Sequence, residues 1–324
     1  MKISGTNKLK RFFKENYKTL ILCCCLALLN IFFLAWSFGQ NDLTFGNTFI
    51  FLLISTILLE IILCVIIFIS KSKKWQIEKI FLVTGLIVGL LYVFALPVGR
   101  APDEVSHFTR VYELSKGHLI SDVNEAGKPG TMEASNITIV QDYRENNVTY
   151  YDILEDMSIY PDENNLDFIR TSAYSYNIVS YFPHTVGMFI GNTLHLPLLV
   201  TIYISKLFNM VTCILILYFS IKNIPFLKKM IFLLAFLPIT MQAMASLSPD
   251  GLVTVSSVAL VTFVLNSIYS FKEQFSKKHY CLAFIICLFL SMGKIIYAPL
   301  CLLLFSIPKE RFGSTKREGG KRKI

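Results

Sequence analysis

Charged residues are scarce in this chain of 324 residues, and its cysteines follow no recognisable framework. Only 16% of the residues are Asp, Glu, Lys or Arg, whereas a soluble domain holds about 25%. All eight cysteines lie in apolar runs, and no pair has the CxxC spacing of a metal or redox site. The sequence therefore excludes a disulfide-stabilised soluble domain and indicates that the thiols act as small buried hydrophobic groups.

What the chain does contain is apolar sequence, at 54% of its residues and a mean hydropathy of +0.55. Several runs are long enough to cross a hydrocarbon layer ~30 Å thick, which takes roughly 20 helical residues. We predict an all-α polytopic membrane protein with about eight transmembrane helices, an interfacial helix and one large extracytoplasmic loop. The predicted spans are 19–38, 48–70, 79–98, 198–221, 230–247, 251–270, 279–293 and 295–308, of which the last two are alternatively one long broken helix.

The charges are distributed unevenly, and their distribution predicts the orientation in the membrane. Residues 99–182 contain 14 acidic and 6 basic residues, whereas the rest of the chain contains 8 acidic and 25 basic ones. Because short basic segments mark cytoplasmic loops, we predict that the acidic segment lies outside and that both termini are cytoplasmic. This orientation requires the apolar stretch 178–194 to lie at the interface without crossing. The net charge of +9 then reports orientation and contact with membrane lipid, and no nucleic-acid partner is expected.

These assignments divide the chain into three predicted parts. Residues 1–78 form a cytoplasmic N-terminus and the first two transmembrane helices, residues 79–308 form a membrane core that includes the extracytoplasmic loop 99–182, and residues 309–324 form a basic cytoplasmic tail. Aromatic and β-branched residues between positions 137 and 153 predict short strands within the loop.

A short helix is predicted to open the loop, from Asp103 to Lys116. Pro102 suits its first turn and Gly117 is a stop signal directly after it.

An acidic pair stands at the start of this helix, at the mouth of a membrane span. Helical spacing puts Asp103, His107 and Arg110 on one face of the helix, and Glu104 lies next to that face. Ionisable groups at a membrane boundary usually mark a functional site, as a general base, a metal ligand or an acceptor-activating pair. The alternative is a helix cap with a solvated charge.

Three further residues are candidates on the same membrane face. Asp250 lies in a Pro-Asp-Gly turn, which needs no function by itself but becomes a second wall of one cleft if it lies near Asp103. Lys206 and Lys294 are the two lysines outside both the loop and the basic clusters. Each either binds a phosphate or snorkels to the outer headgroups, with phosphate binding favoured for Lys294 and snorkelling for Lys206.

Three blocks of sequence carry a resemblance to a known family. They are Pro102-Asp103-Glu104-x-x-His107-Phe108-x-Arg110, Tyr181-Phe182-Pro183 and Ser248-Pro249-Asp250-Gly251. Over about residues 80–308 the chain resembles the bacterial membrane-protein family DUF2142, a domain of unknown function. That family is similar to GT-C glycosyltransferases, which use polyprenyl-phosphate-linked sugars.

The resemblance implies a GT-C-like membrane core that moves a sugar from a polyprenyl-phosphate carrier to a cell-envelope acceptor on the outer face. On that template Asp103 is the catalytic base or a metal-linked carboxylate, and Glu104 is its partner. A divalent metal ion is a candidate cofactor, and the partners are membrane lipid and the lipid-linked sugar. The candidate substrate-binding residues are His107, Arg110, Asp250, Lys294, Tyr297 and Lys206.

Two other classes of protein remain open. A non-enzymatic transport or envelope-assembly subunit would need polar residues at the membrane midplane. Glu60 is nearly the only polar residue predicted there. An inactive truncated copy is also open, since the chain stops soon after Lys294 whereas members of the family are usually longer. The sequence names neither the sugar nor any protein partner.

Overall fold

A computed structural model describes residues 5–40, 47–146, 148–270 and 273–313. Most of these residues are α-helical, which confirms the predicted all-α class apart from one small sheet. The chain divides into two compact units, Met1–Gln76 and Ile77–Ile324.

The first unit is a helical hairpin of α1 (Gly5–Gln40) and α2 (Asn47–Ser72). Near the free end of the hairpin, Lys71 donates a hydrogen bond to Asn16 and the rings of Phe12 and Phe68 meet edge to face at 4.8 Å. The predicted span 19–38 falls within α1. The helix is described over this span, but many of its side chains are not.

The second unit contains the predicted core and the loop. Its elements are α3 (Ile77–Ala95), α4 (Glu104–Ser115), β1 (Asp122–Val123), β2 (Pro129–Ala134), α5 (Ile139–Glu145), α6 (Tyr150–Glu155), β3 (Leu166–Arg170), α7 (Phe182–Thr193), α8 (Leu198–Asn223), α9 (Lys228–Ala235), α10 (Pro238–Ala245), α11 (Asp250–Tyr269) and α12 (Lys277–Gly293). Short 3₁₀ helices occupy Ser135–Thr138, Asp156–Ser158, Ile295–Ser306 and Lys309–Phe312.

The predicted count of eight spans is wrong for the described residues. Four helices are long and apolar enough to cross a membrane: Leu53–Ser72 within α2, α3, α8 and α11. The pair α9 and α10 adds a fifth if it is one span bent by 66° at its break. The last two predicted spans fail the test of length, because α12 has 17 residues and the stretch after it is a 12-residue 3₁₀ helix.

Four helix ends of the second unit meet at one place. The turn after α3, the first turns of α8, the start of α11 and the end of α12 are joined there by the contacts described below. These are the ends that the charge distribution predicts to face outward. Both α8 and α11 start at this place. The chain therefore leaves it along α8 and comes back to it through α9 and α10 before α11 begins.

The helix α7 has the length expected of an interfacial segment. Its 12 residues extend about 18 Å, which is too short to cross a layer ~30 Å thick. It packs closely on α8, since a Cβ atom at Gly187 would lie 2.7 Å from the Cα of Ser205. The Ser205 hydroxyl also donates to the carbonyl of His184 at 2.8 Å.

The segment between α3 and α7 is part helix and part sheet. The predicted helix from Asp103 to Lys116 is confirmed as α4, and the strands form one antiparallel sheet in the order β1-β2-β3. The short strands predicted within the loop are therefore confirmed, but not at the residues that suggested them, because the stretch 137–153 forms a 3₁₀ turn, α5 and α6. Ile137, Val140 and Tyr143 are buried at a spacing of three, which is a helical face rather than a strand face.

Candidate functional site

Glu104 is a fully buried carboxylate in the first turn of α4. Its Oε2 accepts hydrogen bonds from the N–H of Gly99 at 2.9 Å and of Ala101 at 3.4 Å. Its Oε1 accepts from the N–H of Leu247 at 3.1 Å and lies 2.9 Å from Lys206 Nζ. Because both oxygens are occupied, Glu104 ties the turn after α3 to α8 and to the turn before α11. These contacts give Glu104 a positioning role.

Lys206 is completely buried on α8 and does not snorkel to the headgroups. Its Nζ is within ion-pair distance of Glu104, but within the described residues it makes no aligned hydrogen bond. The same atom lies 5.9 Å from the ring centroid of Tyr203, close enough for a cation–π contact. The structure leaves no open surface at Lys206 for the phosphate that the sequence suggested as its ligand.

Asp103 differs from its neighbour because its carboxylate is exposed. Its φ of 54° lies in the left-handed region, which is uncommon for residues other than glycine, although Asp adopts it more readily than most, and such residues cluster at functional sites. Its side chain makes no capping hydrogen bond to α4, so the alternative that is left for Asp103 is a solvated charge. The backbone at Asp103 is thus held in an uncommon conformation, and its carboxylate, which accepts hydrogen bonds, lies at the surface.

His107 lies one helical turn after Asp103, and its N–H donates to the Asp103 carbonyl at 3.1 Å. Its Nδ1 is hydrogen-bonded to the hydroxyl of Tyr181 at 2.5 Å. Burial lowers the pKa of His107 more than the charges of Asp250 and Asp103 raise it, and Lys294 adds to the lowering. The imidazole is therefore neutral at pH 7, and four charged side chains, those of Asp103, Glu104, Asp250 and Lys294, lie near enough to act on it.

Asp250 and Lys294 form an ion pair that joins the start of α11 to the end of α12. The Asp250 side chain is 47% exposed and the Lys294 side chain 31% exposed, so both ions remain accessible. Burial opposes the charge of Lys294, but the hydrogen bond and the charge of Asp250 outweigh it and raise the pKa of Lys294. Tyr297 lies three residues further on, with its N–H donating to the Lys294 carbonyl at 2.9 Å and its side chain exposed.

The end of α12 is held in place by the segment that precedes α7. The side chains of Asn177 and Ser180 both donate to the carbonyl of Met292, at 3.2 and 2.7 Å. Because Met292 lies two residues before Lys294, these bonds fix the position of the lysine relative to the rest of the cluster.

Arg110 is buried and fully engaged by the protein. Its guanidinium donates to Glu113 Oε2 at 2.6 Å, to the carbonyl of Tyr176 at 2.9 Å and to the carbonyl of Leu119 at 2.8 Å. The sequence suggested Arg110 as a substrate ligand, but these bonds make it a support for the Tyr176 segment.

Two tyrosines of the site were not singled out from the sequence as site residues. The rings of Tyr176 and Tyr181 lie 5.7 and 5.8 Å from His107, and burial raises the pKa of Tyr181, which keeps its hydroxyl protonated. The block Tyr181-Phe182-Pro183 was one of the three that carry the family resemblance, but no role at the site was predicted for Tyr181. No sequence pattern pointed to Tyr176, because its position depends on the hydrogen bond from Arg110 to its carbonyl.

The donor groups do not fit the divalent metal considered as a cofactor. Across the described residues, no group of three or more His, Cys, Asp or Glu side chains could hold a metal ion. Burial lowers the pKa of His184 to about 4, and its Nε2 is hydrogen-bonded to the carbonyl of Ser246 at 3.0 Å. His118 instead lies 3.4 Å from Thr131 Oγ1.

The arrangement has two layers. The exposed Asp103 and the partly exposed Asp250 and Lys294 surround the neutral His107, while Glu104 and Lys206 form a buried ion pair that holds the converging helix ends together.

Comparison with known proteins gives a family but no activity. No curated protein and no solved structure shows a significant match to the chain. One family model matches residues 86–320, and its description is that of a predicted membrane protein. That match includes α4, the acidic segment and every residue of the two layers. The chain therefore belongs to the predicted membrane protein family DUF2142.

Proposed function

We propose that this protein is an integral-membrane glycosyltransferase that moves a sugar from a polyprenyl-phosphate carrier to a cell-envelope acceptor on the outer face. The observation that carries the proposal is the exposed Asp103 carboxylate, in a left-handed conformation and without a capping bond, which acts on His107 together with the accessible Asp250–Lys294 pair. The resemblance to GT-C enzymes points to the same residue as the catalytic base.

Asp103 serves as the general base in this mechanism. Its carboxylate takes the proton from an acceptor hydroxyl while that oxygen attacks the anomeric carbon of the donor sugar. The neutral His107 places no positive charge next to the Asp103 carboxylate. A single base suits a single displacement that inverts the anomeric configuration, with no second carboxylate acting as a nucleophile.

Lys294 serves the leaving group. As the new bond to the acceptor oxygen forms, the bond from the anomeric carbon to the phosphate oxygen breaks and the lipid phosphate carries away the electron pair. An ammonium group has three N–H donors, and Asp250 takes one of them. The remaining donors of the partly exposed Lys294 can bind the phosphate without breaking the ion pair.

Deletion of the gene tests the proposal at the level of the cell. We expect loss of one envelope glycan, or of one sugar branch of it, together with accumulation of a polyprenyl-phosphate sugar in the lipid extract. Mass spectrometry of both fractions measures the two effects, and expression of the wild-type gene should reverse them. An unchanged glycan and lipid profile would instead favour the non-enzymatic class.

The orientation of the site can be tested by cysteine labelling. We expect an impermeant maleimide to label a cysteine at Ala126 in intact cells, because this exposed position lies in the acidic segment that we place outside. A cysteine at the exposed Lys73, in a basic segment, should react only after the cells are opened.

The background for this labelling is a chain without its eight native cysteines. Labelling at position 73 but not at position 126 in intact cells would place the candidate site on the wrong face of the membrane and contradict the proposed donor.

A further inference from the structure

We propose that a groove beside α4 binds an anionic oligosaccharide, which deepens the proposed function by naming the chemical class of its acceptor. The groove lies in the segment between α3 and α7. Its walls are α4, α5 with the 3₁₀ turn before it, and β3 with the residues that follow β3.

The groove has the size of a ligand site. Its volume is about 690 Å³, within the ~300–1,000 Å³ that ligand pockets usually occupy. It lies along one flank of α4, where Ser106 and Thr109 line it. Ser106 is one helical turn from Asp103, so a chain bound in the groove can extend towards the proposed base.

The charge of the groove is opposite to that of its surroundings. Residues 99–182 contain 14 acidic and 6 basic residues, yet the charged side chains of the groove are Arg144, Arg170 and Glu145. Both arginines are exposed, and within the described residues neither forms an ion pair. Unpaired guanidinium groups in an otherwise acidic segment favour a ligand that carries carboxylates or phosphates.

The uncharged lining mixes apolar and polar side chains in about equal numbers, which suits a sugar with apolar faces and hydroxyl edges. It is rich in short hydroxyl and amide side chains, which both donate and accept hydrogen bonds as sugar hydroxyls require. These residues are Ser106, Thr109, Thr138, Gln141, Thr171 and Ser172. Tyr174 adds an exposed aromatic ring with an apolar face and a polar edge.

Binding can be measured on the full chain in detergent with the Asp103→Asn substitution, which separates binding from any transfer. The probes are tetragalacturonate for a carboxylate ligand, maltotetraose phosphate for a phosphate ligand and neutral maltotetraose as the control sugar. We expect at least one anionic probe to bind at least tenfold more tightly than maltotetraose in isothermal titration calorimetry, since hydrogen bonds to charged groups are the stronger ones.

Substitutions in the groove should change the affinity in opposite directions. Arg144→Gln and Arg170→Gln should each weaken binding of the anionic probe about tenfold, and Glu145→Gln should strengthen it severalfold because it removes a like charge. The matched control is Lys128→Gln, which removes a positive charge from an exposed position outside the groove and should change affinity less than about twofold.

Three results would overturn the assignment. They are no binding of either anionic probe, equal binding of neutral maltotetraose, and equal losses in the Lys128 and arginine variants. Equally tight binding of tetraglutamate, with the same sensitivity to the arginines, would identify an acidic peptide instead of a sugar. None of these results requires the transfer reaction, so a failure of the proposed groove is distinct from a failure of the proposed enzyme.

Discussion

Replacing Asp103 with Asn is expected to reduce sugar transfer by ~10²–10⁴-fold, the usual cost of losing a positioned acid or base. Asn keeps the shape of Asp and tolerates the left-handed φ of 54°, but it cannot accept a proton at neutral pH. Expression and membrane insertion should stay unchanged. The measurement is the amount of envelope glycan and of accumulated lipid-linked sugar in a deletion strain that carries the variant gene.

The control for this substitution is Asp122→Asn, which removes an exposed carboxylate from β1 in the same acidic segment. That variant should restore the glycan fully. If the Asp103 variant restores it equally well, Asp103 is an exposed charge in an uncommon turn and not the base.

Replacing Glu104 with Gln is expected to lower the free energy of unfolding by ~3–5 kcal/mol, the range measured when one partner of a buried ion pair is removed. The substitution leaves the fully buried ammonium of Lys206 without a counter-charge and weakens three backbone hydrogen bonds. Thermal unfolding of the purified protein in detergent, followed by loss of the monodisperse peak in size-exclusion chromatography, measures the effect.

Two matched variants decide whether the buried pair causes this loss. The double variant Glu104→Gln with Lys206→Met removes both charges and should recover much of the lost stability. Asp250→Asn opens the other ion pair of the site, whose members are partly exposed, and should cost at most about 1 kcal/mol. Equal destabilisation by the Glu104 and Asp250 single variants would contradict the two-layer arrangement.

The parts of the fold that follow from local signals were predictable from the sequence. The helix α4 was placed to within a residue at each end, because a proline at its first turn and Gly117 after its last are local signals. The helices in the stretch 137–153 were not predicted, since apolar residues at short spacing suit a strand as well as a helix. There the Thr149–Asp152 capping box, which begins α6, was a helix signal in the sequence.

The count of spans failed for a related reason. Hydropathy marks the last two apolar stretches as spans, but it does not distinguish a 3₁₀ helix from an α-helix. Pro299 lies inside the second stretch, where it removes a backbone donor.

The separate roles of Asp103 and Glu104 were beyond sequence reasoning. The two carboxylates are adjacent in the chain, and only the position of Lys206 and of the Leu247 N–H shows which of them is buried. These partners lie more than a hundred residues away in sequence, and no local pattern relates them to Glu104. The pairing of Asp250 with Lys294 is equally non-local, although the sequence did place both residues on one membrane face.

The most direct test of the proposed enzyme is turnover by the purified protein in proteoliposomes loaded with polyprenyl-phosphate sugars from host membranes. The acceptor is the host's own envelope glycan from a strain that lacks the gene. We predict release of one lipid phosphate for each sugar transferred, inversion at the anomeric carbon, and loss of both products in the Asp103→Asn variant. Retention of configuration, or equal product with wild type and the Asn variant, would contradict the account.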